Sequence, residues 1–149
     1  MRLLTFNEFK NIADFSEGSN DDRFNKALNI AEQIYLPDLI GAGMVAKIKA
    51  GNYAELVELV KYCLAKELER YFIETANTKV DNRGLSERTG DFSRTAEMKD
   101  KQLKIDNTIQ VLKRFESRLI STIIEGEYAE YNENEKTSKT TGFTITSVG

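Results

Sequence analysis

The side chains that most often carry out chemistry are scarce in this chain. Histidine, the commonest acid/base group and the commonest metal ligand, is absent. One cysteine is present, Cys63. It falls in an apolar-periodic stretch, where a free thiol acts as a small buried hydrophobe. A lone cysteine forms no intrachain disulfide. Without histidine or further cysteines there is no structural zinc site. Carboxylates are plentiful, and Glu67 and Glu74 stand on nearby turns if their segment is helical. Acid/base work by such a pair needs a pocket that drives the two pKa values apart, and nothing in the spacing supplies one. Asp81, Asn82 and Asp91 carry oxygens that suit calcium or magnesium, but the Asp-x-Asp-x-Asp-Gly order is missing. Turn formation accounts for them better. Gly41-Ala-Gly43 lies between apolar helical residues and follows no strand, the wrong setting for a phosphate-binding loop. No P-loop, dinucleotide or nucleophile-elbow motif occurs. The expectation is a protein that is not an enzyme and uses no cofactor or metal.

Charge distribution says more. The net charge of −3 gives no global reason to bind nucleic acid. From Lys79 to Arg118 there are ten Lys/Arg and seven Asp/Glu, whereas Glu125 to Glu135 holds five glutamates and no base. Such runs serve either as solvated faces or as surfaces of opposite sign that meet between copies. Arg83, Arg88 and Arg94 could also face phosphates, but only Phe92 lies among them, short of a stacking site for single strands.

The 149 residues fit one domain, long enough to bury a core without disulfides or metals. Cysteine usage fits folding in a reducing cytoplasm. No apolar run approaches a membrane span, and Met1 to Phe9 has no secretory apolar core.

The periodicity predicts five helices. Thr5 caps the first, Phe6 to Asp14, with Glu8 at the capping-box position. The second, Asp21 to Tyr35, turns Phe24, Ala27, Leu28, Ala31, Ile34 and Tyr35 inward. Pro37 opens a third, Asp38 to Ala50, in which Gly41 and Gly43 allow close packing or a kink. The fourth, Tyr53 to Asn77, has a stripe from Leu56 through Cys63, Leu64 and Leu68 to Tyr71, Phe72 and Thr75. Lys61, Lys66, Glu69 and Arg70 lie off that stripe. Thr78 to Thr95 reads as an irregular insertion or a loose hairpin near Arg83-Gly84. The fifth helix, from Thr95 or Ala96 to Ile124 or Glu125, would span about 40 Å. Its stripe runs from Leu103 through Leu112 and Leu119 to Ile124, and Met98 to Lys104 should project from the core. Residues 127–149 read as an extended C-terminal arm: a polar stretch, then Phe143 to Val148 with the period of a strand. The fold expected is therefore mainly α: a small helical bundle, residues 1–126, with a long final helix, an insertion at 78–95 and the arm.

One resemblance adds to this reading. A helix pair is joined near Leu36-Pro-Asp-Leu-Ile-Gly41. A long amphipathic helix follows, then Asn82-Arg-Gly-Leu85 and Ser86 to Asp91-Phe-Ser93, then a long helix ending Arg114-Phe-Glu-Ser-Arg-Leu-Ile120. This layout, over roughly Ile30 to Ile124, resembles head–tail connector (neck-ring) proteins of tailed phages, of the Bacteroides and crAss-like type. The resemblance implies a virion protein made in the host cytoplasm. It implies a ring, usually of about twelve copies, docked below the portal protein and against other neck or tail proteins. DNA would pass through the channel without specific binding, and no membrane is involved. The residues expected to make assembly contacts are Arg83, Leu85, Phe92 and Arg94 in the insertion and Phe143, Ile145 and Val148 in the arm. Two rivals stand beside it: a helical adaptor or regulatory protein of a bacterial cell that dimerises through the last helix, and a nucleic-acid-binding protein that uses the basic segment.

Overall fold

A computed structural model describes residues 2–82 and 85–131, with side chains described outside 77–96. The chain is mainly helical. Its elements are α1 (Phe6–Ile12), α2 (Asp21–Ile30), a π-helical segment (Ala31–Tyr35), α3 (Leu36–Ile40), α4 (Ala42–Lys49), α5 (Ala54–Asn82) and α6 (Leu85–Gly126). No strand occurs among the described residues.

The helix starts follow from local chemistry. At α1 the Glu8 amide donates to the Thr5 hydroxyl at 3.1 Å and the Thr5 amide donates to the Glu8 carboxylate at 2.9 Å, a complete capping box. At α2 the Asn20 side chain accepts from the Arg23 amide at 2.9 Å, with Asp21 and Asp22 placed where the helix dipole favours acids.

The chain from Asp21 to Ile40 is one helical run, so Pro37 does not separate two helices. It sits in the first turn of α3, directly after the π segment. Proline offers no amide to the ladder. The widened turn, in which the Leu36 amide reaches back to the Ala31 carbonyl, precedes that missing donor. The wider turn also changes which side chains face inward. Phe24, Leu28, Glu32, Leu36 and Ile40, four apart throughout, are all buried. In a straight α-helix each step of four would drift by about 40°. The expectation that Ile34 faces the core is therefore corrected: Ile34 is 59% exposed and Glu32 is buried in its stead. Gly41, at φ +93°, then breaks the run and starts α4.

Helix α5 is the centre of the body. Cys63, Leu64, Ala65 and Lys66 are buried in succession, followed by Leu68, Glu69, Phe72 and Ile73. On one side Phe9 lies 5.6 Å from both Phe24 and Phe72, an aromatic cluster where α1 meets α2 and α5. On another side lies α6, antiparallel to α5: Tyr62 stacks on Phe115 at 4.9 Å, while Lys101 reaches the Glu74 carbonyl.

Three expected features change. The segment 78–95 is helical up to Asn82 and again from Leu85. Extending a helix adds a backbone hydrogen bond per residue, and the threonines, asparagines and Gly90 each cost under about 1 kcal/mol of propensity. Lys66 and Glu69, assigned to the solvent side of α5, are buried. A helix covered on several sides has no single polar face. Leu103 and Ile124, at the two ends of the expected α6 stripe, are exposed, and its buried apolar residues are Ile105, Leu112, Leu119 and Ile123.

Replacing Leu64 or Leu112 with Ala should lower unfolding free energy by about 2–5 kcal/mol, as buried leucine deletions do. Denaturant titration measures it, and a change near zero at both positions would mean that these side chains do not carry the core.

Candidate functional site

The residues singled out for assembly lie in two places. Leu85, Phe92 and Arg94 are on the first turns of α6, where positions 85 and 92 are two turns apart along one helix. Their side chains, together with Arg83, lie outside what is described, as do Phe143, Ile145 and Val148. The part of the arm that is described, 127–131, turns back onto the start of α5. Tyr128 packs edge-on against Tyr53 at 4.5 Å and its hydroxyl donates to Glu55 at 2.5 Å, and the Tyr53 hydroxyl donates to Glu130.

The polar groups buried in the body act as braces. Glu69 accepts from the Asp14 and Phe15 amides at 3.1 and 2.9 Å and from the Lys66 ammonium at 2.9 Å. It thereby fixes the chain leaving α1. Glu32 accepts from the Leu3 amide at 3.1 Å and from Lys49 at 3.0 Å, which ties the N-terminus and α4 to the π segment. Lys61 bonds Glu8, and that cation holds the Glu8 carboxyl below its usual range. The Tyr35 hydroxyl donates to Glu116 at 2.5 Å, joining the π segment to α6. Among the described residues no buried side-chain nitrogen or oxygen lacks a partner.

Cys63 lies beside this tyrosine. Burial, with the Glu116 charge second, pushes its thiol up to about 12, and burial likewise raises the Tyr35 hydroxyl far above its usual value. At neutral pH both are protonated. A nucleophilic cysteine needs the opposite environment, one that favours thiolate.

Cavities open between the elements of the body. One, about 310 Å³, lies where Asp14 and Phe15 meet α5 and α6, and its lining side chains Lys66 and Glu69 are the paired groups just described. Another, about 210 Å³, runs between α2 with its π segment and α5. Ala27, Ala31 and Leu68 line it, and Ile30, Ile34 and Tyr71 stand at its edges, 60%, 59% and 41% exposed. Single exposed apolar residues are ordinary, but here three converge on one apolar groove at a π segment, a feature frequent at functional sites. Reading the sequence with a uniform helical period missed this groove, because it put Ile34 and Tyr71 in the core. Ile30 was the available signal: an isoleucine beyond an already sufficient apolar stripe.

Further along, α6 outruns the body. Residues 97–100 and 102–104 are exposed, Met98 and Leu103 by 58% each. At 1.5 Å per residue the 42 residues of α6 span about 63 Å. No helix among the described residues is long and apolar enough to cross a membrane, and no cluster of acidic or cysteine side chains there is placed to hold a metal ion.

No protein-family model, curated protein or solved structure matches the chain.

Two outcomes follow from the bracing groups. Cys63 in the folded protein should react with iodoacetamide at pH 8 more than about a hundredfold slower than a free thiol, measured by mass; a rate near that of free cysteine would contradict its burial. Glu69→Ala should destabilise by about 3–5 kcal/mol, because it leaves Lys66 without its buried partner, and unfolding of the variant near the wild-type midpoint would contradict the bracing role.

Proposed function

We propose that this protein is a structural subunit of a phage neck: one copy in a ring that joins the portal to the tail. The ring would leave a channel through which DNA passes without specific binding. The observation that carries the reading is α6, which packs along α5 yet leaves residues 97–100 and 102–104 exposed, Met98 and Leu103 by 58% each. In a ring, neighbouring subunits would cover that surface. The groove at Ile30, Ile34 and Tyr71 supports the same reading from a second position, because two unlike patches on one molecule are what a head-to-tail ring contact requires. The resemblance over Ile30 to Ile124 supplies the kind of ring.

The chemistry is consistent with a structural role. The buried carboxylates and the lysines paired with them hold segments together, and the one thiol is kept protonated. The basic and acidic stretches of α6 and of residues 125–135 would then meet between copies.

A dimeric adaptor using α6 differs in its assembly state. Electron micrographs of the purified protein, alone and with its portal, should show closed rings; particles that stop at a dimer in both samples would favour the adaptor. Joining residue 78 to residue 95 by a short linker should leave a folded helical body, since Leu56 to Ile73 of α5 and Ile105 to Ile123 of α6, which build the core, are retained. That variant should no longer form rings. Normal rings from it would overturn the role given to Arg83, Leu85, Phe92 and Arg94.

A further inference from the structure

We propose that the groove between α2 with its π segment and α5 holds residues 143–148 of a neighbouring copy. The second chain in this inference rests on the ring reading above; the groove and its occupant are argued from their own chemistry.

The groove specifies the occupant by what it lacks. Its rim cations are already paired: Lys26 with Asp22 at 3.3 Å, and Arg70 with Glu67 and Glu74 at 2.7 and 2.8 Å. No charge at the rim is left to draw an acidic peptide, so an uncharged, apolar occupant fits. At about 210 Å³ the groove is smaller than sites that enclose a small molecule, which start near ~300 Å³. It has the size to take one or two large side chains from a passing chain.

Residues 140–149 contain no charged side chain, and Phe143, Ile145 and Val148 stand among threonines and a serine. In an extended conformation Phe143 and Ile145 point one way and Thr144 and Thr146 the other. Two adjacent apolar side chains can thus enter a groove while hydroxyls face water. Addition to a sheet edge is another use for such a segment, but there is no strand among the described residues to receive it. Side-chain insertion between helices takes its place.

The reach fits. The last described residue is Tyr131, whose neighbours Tyr128 and Glu130 are held against Glu55 and Tyr53 at the start of α5. The groove residues Glu67 to Tyr71 lie about 21–27 Å further along that helix. Residues 132–142 span up to roughly 36 Å when extended, enough to cover that distance; the ring reading is what puts the groove on the next copy. Each copy thus carries a plug at one place and a socket at another. Repeated head to tail, such a contact builds a ring where the rotation between copies closes, as the ring reading requires.

Disulfide trapping in the full chain tests this. Ile34→Cys and Ile145→Cys are introduced together, and native Cys63 stays buried. Oxidation under ring-forming conditions should give a covalent ladder of dimer, trimer and larger species. Mixing the two single variants should give dimer and nothing larger. A fast-migrating monomer alone would place the segment in its own groove and overturn the proposal. Rings without any ladder would overturn the groove assignment and leave the ring reading standing; neither rings nor ladder would overturn both. As a second reading, Ile34→Asp should cut the ring fraction about tenfold or more while leaving the unfolding midpoint unchanged, because Ile34 is 59% exposed in the subunit. Unchanged ring formation by that variant would also overturn the proposal.

Discussion

Helix α5 has apolar residues on more than one side, and that constraint organises the body. A helix with one apolar stripe needs one partner. A helix in which four successive residues, Cys63 to Lys66, are all buried must be covered all round at that level. The aromatic cluster of Phe9, Phe24 and Phe72 covers one side and α6 covers another. Full cover forces polar residues inward with the apolar ones, which is why Lys66 and Glu69 have to be paired. Glu69 then does more than neutralise Lys66. Its second oxygen takes the Asp14 and Phe15 amides, groups that an irregular segment after a helix would otherwise leave without a partner. Burial of such a pair adds little net stability, but it sets where the chain after α1 must lie.

The same economy of partners explains the π segment. Glu32 is turned inward by the widened turn and reaches both the Leu3 amide and Lys49. The turn that buries Glu32 also exposes Ile34. The groove beside α5 is therefore a by-product of the geometry that anchors the N-terminus, and it opens where the chain has spare apolar side chains. The body is internally satisfied, while the groove is apolar beyond what solvent favours, and the mostly charged stretch 97–104 of α6 leaves Met98 and Leu103 exposed.

Much of the architecture was legible in the residues. Thr5 and Glu8 announce the first cap; Gly41 by sequence allows a kink inside a helix from Asp38 to Ala50, whereas it ends one helix and starts the next. The spacing from Leu56 to Phe72 marks the central helix, and Leu112 and Leu119 mark its long partner. What was not legible depends on tertiary context. Nothing local to Lys66 or Glu69 tells that two sides of α5 are covered. The polar run from Thr78 to Thr95 has the composition of a loop, yet short-range propensity is weak against the continuation of two long helices. Pro37 hinted at an irregular turn before it, but a uniform period of 3.6 could not say that the irregularity would exchange Ile34 for Glu32. The candidate site divides in the same way. The residues chosen in the insertion and the arm rest on sequence pattern, because their side chains lie outside the described residues. The groove could be found only once the phase of the π segment was known.

The central claim is that this chain works as a repeated subunit whose exposed surfaces are covered by its neighbours. Native mass spectrometry of the purified full-length protein, with and without its portal, tests it most directly. The account predicts one closed species of high order, a fixed whole-number multiple of the subunit mass, in at least one of the two samples. Monomers and dimers alone in both, at every concentration tried, would contradict it.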